Sequence, residues 1–384
     1  MKLRLNGLSA FGMAITFLLI PLARAGENAT RAGENSVNAE AMVVTATMTE
    51  KTIKDAPGSI EIITSRDLKD MNAQTLSDAV ENAAGLAVTT ESGRNMRPSI
   101  RGTGTKHTLV LIDGRRMASG FKSFTGMEQV PVDMIDHIEV LRGPASALYG
   151  SDALGGVINI ITRKTPQKFI LEATGETGVS TYSEGELGVA RALAGTGFND
   201  FGILLSGSFR NKNGYDRDGV TPDDGDEIQL GSAAARFSYD ISKNHQILSG
   251  FEYMQKNAKG LRDIQKMDRE RDADDDRLNL FLEYNGKPGD LSHIMVRANH
   301  SSHDSDIEMD PDTSMIPGAL GDENNAQRQL TQLESRFTSL FLDHHMITIS
   351  AEGREEVRED DTGMDDDITN FRTPDTTNLI YCFN

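Results

Sequence analysis

Two hydrophobic rhythms divide this chain near Thr165. From Phe169 onward, apolar residues recur at every second position. Leu278, Leu280, Leu282 and Tyr284 alternate with Arg277, Asn279, Phe281 and Glu283; Ile294, Val296 and Ala298 alternate with His293, Met295, Arg297 and Asn299. Ile347, Ile349 and Ala351 repeat the pattern, as do Ala235, Phe237 and Tyr239, and Ile247, Phe251 and Tyr253. A period of two predicts strands with one apolar face. About nine are expected, near 169–175, 186–194, 201–210, 232–241, 245–254, 276–285, 292–300, 329–341 and 345–353. Two architectures accommodate such a series: a transmembrane β-barrel, apolar outside and polar inside, or a soluble β-sandwich.

Before Thr165 the elements are shorter and mixed. Ser59–Thr64 reads as a strand. Thr75 and Asp78 form a capping-box pair, opening a helix with Leu76, Ala79, Val80 and Ala83 on one face. Gly85 is placed to end it. Leu86–Thr90, Ser99–Gly102 and Thr108–Ile112 are extended, and Asp113-Gly114 is a hairpin signal. Arg115 to Met127 is loop-like. Ile138–Leu141 and Val157–Thr162 flank a turn-and-helix insert carrying Gly143, Pro144, Gly150, Gly155 and Gly156. The second of these runs is apolar on both faces except for Asn159, so it predicts cover on both sides. Adjacent glycines at its entrance predict another backbone in close approach.

The first residues belong to neither region. Lys2 and Arg4, the apolar run Phe11 to Leu22 and Ala23-Arg24-Ala25 fit a cleavable signal peptide over residues 1–25. The apolar run is far short of the roughly 20 residues a spanning helix needs. The tandem RAGENAT, RAGENSV at 24–37 reads as a flexible arm. It leads to a β-prone patch, EAMVVTA, from Glu40 to Ala46. From spacing alone this patch is equally the first strand of the following domain or a segment that adds to a partner's sheet edge.

Composition narrows the function classes. A length of 384 residues fits about two domains. A formal charge of −19, without a basic stripe, excludes a general nucleic-acid binder. Cys382 is the one cysteine, so no internal disulfide forms. Gly102-Thr103-Gly104-Thr105-Lys106 lacks P-loop spacing, and His107 stands where Ser or Thr is needed. His107 precedes a buried strand and reads as a hydrogen-bonded structural residue. The acidic stretches Asp223–Glu227, Asp272–Asp276 and Asp360–Asp367 lack EF-hand spacing and read as solvated loops. His300 and His303, with Asp304 and Asp306, have metal-ligand chemistry but no recognised motif. No nucleophile–base set or catalytic carboxylate pair is present, so no enzyme, metal site or resident cofactor is expected.

In order along the chain, DAPGSIEIITSRDL, SIRG, TLVLIDGRR, VPVDMIDHIEVLRGP and LYGSDALGGVINIITRK resemble the plug domain of TonB-dependent outer-membrane receptors. The likeness is nearest to the ferric catecholate siderophore and colicin I receptor branch. It implies an α+β plug domain (48–165) followed by a partial antiparallel transmembrane β-barrel (166–384), with the arm at 26–47. EAMVVTA resembles the family's TonB box, so Met42, Val43, Val44, Thr45 and Ala46 are expected to pair with the TonB energy-transducing protein of the inner membrane. Arg101 and Arg142 occupy the positions of the IRG and LRG arginines, which in the family pair with barrel glutamates and hold the plug. Ferric catecholates are anionic, which makes Arg94, Arg115, Arg116 and Lys122 the candidates for charge complementarity. Phe121 and Phe124 are candidates to pack on aromatic rings.

The resemblance implies active uptake of a ferric siderophore, a catecholate, at the outer membrane of a Gram-negative bacterium. The siderophore is then transported ligand rather than cofactor. Lipid is a further partner, and colicins or phage are candidates. Receptors for haem or cobalamin share the architecture; a passive porin would lack a plug. About nine strands stand against the roughly 22 of such transporters. An unclosed sheet in lipid leaves backbone groups unpaired. The chain also stops at Tyr381-Cys382-Phe383-Asn384 rather than on a terminal aromatic residue. The expectation is a C-terminally truncated, transport-incompetent form, or a nonfunctional receptor remnant.

Overall fold

The computed structural model describes residues 42–43, 45, 51–52 and 58–383, except 82, 92–94, 105–106, 119–129, 180–184, 215–225, 265–266, 290, 312–321, 342–344, 365–366 and 373–375. The expected signal peptide and the RAGEN arm lie outside the described residues. Strand β1 (Met42–Val43) pairs antiparallel with β2 (Lys51–Thr52). The patch is thus paired within its own chain.

Strand β3 (Ser59–Thr64) leads directly into helix α1 (Ser65–Asp70), which the hydrophobic pattern did not predict. Its signal is a capping box: the Asp67 N–H donates to Thr64 Oγ1 at 3.2 Å, and the Thr64 N–H donates to the Asp67 carboxylate at 2.8 Å. Leu68 is the buried residue of α1, so there is no periodic stripe to detect. Helix α2 (Leu76–Glu81) starts where Thr75 and Asp78 place it. The Thr75 N–H donates to Asp78 at 2.8 Å, and Leu76, Ala79 and Val80 are buried. Gly85, with φ of +73°, turns the chain into a hairpin of β4 (Leu86–Glu91) and β5 (Asn95–Ile100).

Strands β6 (Thr108–Ile112), β7 (Ile135–Arg142) and β8 (Gly156–Thr162), with helix α3 (Ser146–Tyr149) before β8, complete the unit. The sheet order is β3-β7-β8-β6, with β6 parallel to β8 and the other pairs antiparallel. As predicted, β8 is covered on both faces: Val157 and Ile158 are 0% exposed. The glycine reading also holds. A Cβ on Gly156 would stand 2.3 Å from the Leu141 carbonyl oxygen, a distance no side chain tolerates.

The Asp113-Gly114 signal behaves differently from expectation. Asp113 and Gly114 do take positive φ, +48° and +75°, but the turn closes on a single bridge between Ile112 and Arg115 rather than opening a hairpin. The partner of β6 is β8, and Arg115 turns toward the second region of the molecule.

That region is a wall of consecutive antiparallel strands. It comprises β9 (Ile170–Val179), β10 (Glu186–Phe198), β11 (Phe201–Lys212), β12 (Glu227–Ser242), β13 (His245–Ile264), β14 (Met267–Gly289), β15 (Ser292–Pro311), β16 (Asp322–Phe341) and β17 (His345–Met364). Two shorter strands, β18 (Asp367–Arg372) and β19 (Thr376–Phe383), both pair with β17. The fold is the expected plug followed by part of a barrel wall.

The strands run longer than the apolar alternation. Strand β14 has 23 residues, far beyond the roughly 9–11 that cross a bilayer. Asp272–Asp276 therefore lies inside β14, and Asp360 to Met364 inside β17, not in loops. The ladder hydrogen bonds do not need an apolar face, so strands continue after the hydrophobic signal stops. Within the apolar stretch, outward residues such as Leu205, Phe251, Leu280, Leu282, Val296 and Leu333 are exposed. An outward apolar band of this kind is what a β-barrel wall presents.

Candidate functional site

Plug and wall meet through two kinds of surface. Leu193, Leu204 and Ala234 from β10–β12 join the plug's own core, beside Val80, Ile100, Met134 and Ile138. Farther round the wall the contact is charged. Arg115 is 3% exposed and donates to Glu252 of β13 at 2.8 Å. Its guanidinium carbon lies 3.8 Å from the centroid of Phe281 on β14. Asp113 accepts from Arg236 of β12 and pairs with Arg115 at 3.2 Å. The Ala118 N–H donates to Ser301 Oγ at 2.9 Å, and the Asn299 amide donates to the Arg116 carbonyl at 3.4 Å, both on β15.

Electrostatics follow from this burial. Desolvation alone would raise the Asp113 carboxyl, but the guanidiniums of Arg236 and Arg115 and the Thr162 amide overcome it and hold its pKa down at about 2. Burial opposes the charge on Arg115, yet Glu252 and Asp113 raise its pKa further, so it stays a cation.

A second polar site surrounds Thr45, which is 0% exposed. Its N–H donates to Glu139 of β7 at 2.7 Å, and its hydroxyl donates to the same carboxylate oxygen. Asn159 of β8 donates to the Thr45 hydroxyl at 3.1 Å, and the Tyr149 hydroxyl donates to the Thr45 carbonyl at 2.9 Å. Burial raises the Tyr149 pKa, keeping that hydroxyl a donor. The other Glu139 oxygen lies 3.3 Å from His137 Nε2. Burial works against a charged His137, but its hydrogen bonds to Glu139 and Asp136 raise its pKa overall.

A third feature lies on the inner face of the wall. Glu252, Phe281, Asn299 and Ser301 face the plug, and period two from them brings Lys256, Arg271, Arg277, His303 and Arg328 to the same face, all buried. Arg277, His303, Arg328 and Arg358 stand directly opposite one another across β14–β17. Asp275 lies 3.0 Å from His303 Nε2. The like charges of Arg328 and Arg358, opposed in this way, cost stability. The sequence marks His303 only as a metal-ligand candidate and Asp275 only within an acidic stretch, and does not single out the basic row, although the phase is readable. Counting back from Leu278 puts Asp276, Asp274 and Asp272 outside and Arg277 and Arg271 inside. The same parity separates His300, which faces outward beside Thr331, from His303, so the two do not share a metal.

The residues singled out earlier are distributed unevenly. Among the expected TonB-box residues, Met42 and Val43 form β1 and Thr45 fills the socket; Val44 and Ala46 lie outside the described residues. Arg94, Phe121, Lys122 and Phe124 also lie outside them. Arg115 is sealed against the wall rather than open to solvent. Arg116 pairs with Asp152 at 2.8 Å and donates to the Tyr149 carbonyl. Arg142 pairs at 3.0 Å with Glu61, a residue of the plug itself, while Arg101 is exposed. Among the described residues, the plug arginines that reach wall glutamates are Arg115, on Glu252, and Arg163, on Glu172 of β9 at 2.8 Å. His107 is exposed, and its carbonyl accepts the Gly155 N–H at 2.8 Å.

Residues 52–157 match the TonB-dependent Receptor Plug Domain family. The chain is 31% identical over 345 residues to an iron-regulated outer membrane virulence protein of Vibrio cholerae, covering 84% of this chain and 49% of that protein. It is 34% identical over 188 residues to the vitamin B12 transporter BtuB of the same species, covering 48% of this chain and 30% of the transporter. The siderophore receptor PiuA from Acinetobacter baumannii has the same fold, with a TM-score of 0.61 at 16% identity over 86% of this chain and 53% of that one. The chain spans about half the length of the first of these relatives, 49%. With plug motifs, sheet order and wall in agreement, residues 52–157 are a TonB-dependent receptor plug domain, and the strands that follow share the fold of part of such a receptor's wall.

Proposed function

We propose that this chain is the plug and part of the wall of a receptor for active uptake of a ferric siderophore, a catecholate. The observation that carries the reading is the inner-face row of Arg277, His303, Arg328 and Arg358, with Lys256 and Arg271 close by in register. A concentration of basic side chains, buried apart from the partly exposed Arg358, is complementary to an anionic ferric chelate. Two relatives carry iron or siderophore in their names, which supports the same class. Transport requires work, and Met42–Ala46 is the segment we assign to the inner-membrane partner, through strand addition. No covalent chemistry is involved.

Cobalamin is the second reading, favoured by the 34% identity to a vitamin B12 transporter. Equilibrium binding to the purified full chain, with a ferric catecholate, haem and cyanocobalamin in parallel, separates these. Retention of the ferric catecholate, weakened at least tenfold by Arg277→Glu, is expected. Retention of haem or cobalamin alone overturns the proposal.

A further inference from the structure

Asn159 is the single amide in a strand otherwise buried among apolar residues, and it is 2% exposed. A buried amide is tolerated only where both ends are bonded. Here the two ends reach different parts of the molecule. Its Oδ1 accepts the Gly114 N–H at 3.0 Å, and its Nδ2 donates to the Thr45 hydroxyl at 3.1 Å. Gly114 belongs to the turn that Asp113 and Arg115 fasten to Arg236 and Glu252 of the wall. Thr45 belongs to the segment that precedes the plug in the chain.

A second connection runs in parallel. Arg116, at the end of the same turn, donates to the Tyr149 carbonyl, and the Tyr149 hydroxyl donates to the Thr45 carbonyl at 2.9 Å. The Thr45 N–H, hydroxyl and carbonyl are therefore all held, and two of the three holders are bonded to the turn seated on the wall. The third, Glu139, takes the Thr45 N–H at 2.7 Å.

We propose that Asn159 is a positioning residue that couples the wall-seated turn Asp113–Arg116 to the Thr45 segment, with Tyr149 as a second link. Lifting the turn from the wall withdraws the Gly114 N–H, leaves one end of the Asn159 amide unbonded, and frees the amide to turn away from Thr45. The Thr45 segment then opens more readily. The coupling is mechanical; its regulatory meaning rests on the proposed reading of Met42–Ala46 as the segment handed to the partner.

Hydrogen exchange of the intact chain in detergent, without ligand, tests this. Glu252→Gln loosens the turn from the wall, and Asn159→Leu removes the link. Each is expected to speed exchange at the Thr45 amide about tenfold, the worth of roughly one buried hydrogen bond. Coupling requires that the double variant be no faster than the faster single variant. Peptides spanning 156–162 report whether β8 stays folded. If Asn159→Leu unfolds it, the same cycle with Tyr149→Phe, which removes one hydroxyl, decides. Unchanged Thr45 exchange in Glu252→Gln, or accelerations that multiply in the double variant, overturns the proposal. Because no siderophore is present, failure here is distinct from failure of the binding experiment.

Discussion

The plug sheet and the barrel wall are both built largely from antiparallel strands, yet they bury opposite things. In the plug, β8 hides Val157, Ile158 and Ile160 between its neighbours and admits one amide. In the wall, the apolar residues face out and the buried inward face carries Arg271, Arg277, His303, Arg328 and Glu252. The plug is held by removal of hydrocarbon from water. The wall's inner face is held by charge pairing and by what it encloses, while its outer face is apolar and exposed. A strand's residues therefore report which solvent each face meets, more than whether a strand forms.

The charged contact between the two regions is the sharpest place to break that contrast. Glu252→Ala leaves Arg115 buried without its wall partner. A loss of about 3–5 kcal/mol in detergent unfolding is expected; a loss below about 1 kcal/mol would mean that the pair is not what fastens the turn. Within the plug, Ile158→Ala should cost about 2–5 kcal/mol, because the surroundings cannot collapse into the gap. Leu280→Ala on the outer wall should cost under about 1 kcal/mol, since detergent fills the space that the leucine leaves. Equal losses at the two sites would erase the distinction between a packed core and a lipid-facing surface.

Acid tests the same boundary with a smaller effect. The Asp113 carboxyl is depressed from 3.8 to about 2, so its contribution is fully present above pH 4 and disappears as pH falls through 2. Across that window wild type should lose about 2 kcal/mol more stability than Asp113→Asn, measured by denaturant unfolding at matched ionic strength. The smallest effect belongs to Arg66→Ala on α1. Its pair with Asp70 spans 3.8 Å with side chains 89% and 71% exposed, and removal should shift stability by less than about 0.5 kcal/mol.

Much of the plug was legible because its signals are local. Thr75 and Asp78 marked α2, and the glycines before Val157 marked a close backbone crossing. Asn159 stood out as the polar exception in an apolar run. Helix α1 was hidden because six residues with one buried leucine make no stripe. In the wall, alternation located the strands but understated their length, since Asp272, Asp274 and Asp276 continue a ladder that the bilayer no longer constrains. The partner of Arg115 was not readable, because Glu252 is 137 residues away and no local pattern joins them.

By itself the sequence determined where most of the strands lie, which faces are apolar, and that a glycine-rich plug precedes a wall. Those depend on periodicity and on backbone preferences acting over a few residues. Only the tertiary structure decided that Arg115, and not Arg142, meets a wall carboxylate, and that Asn159 stands between Gly114 and Thr45. The reason is physical: a buried polar group must find its partners in three dimensions, and the chain distance between them carries no information about which it will find.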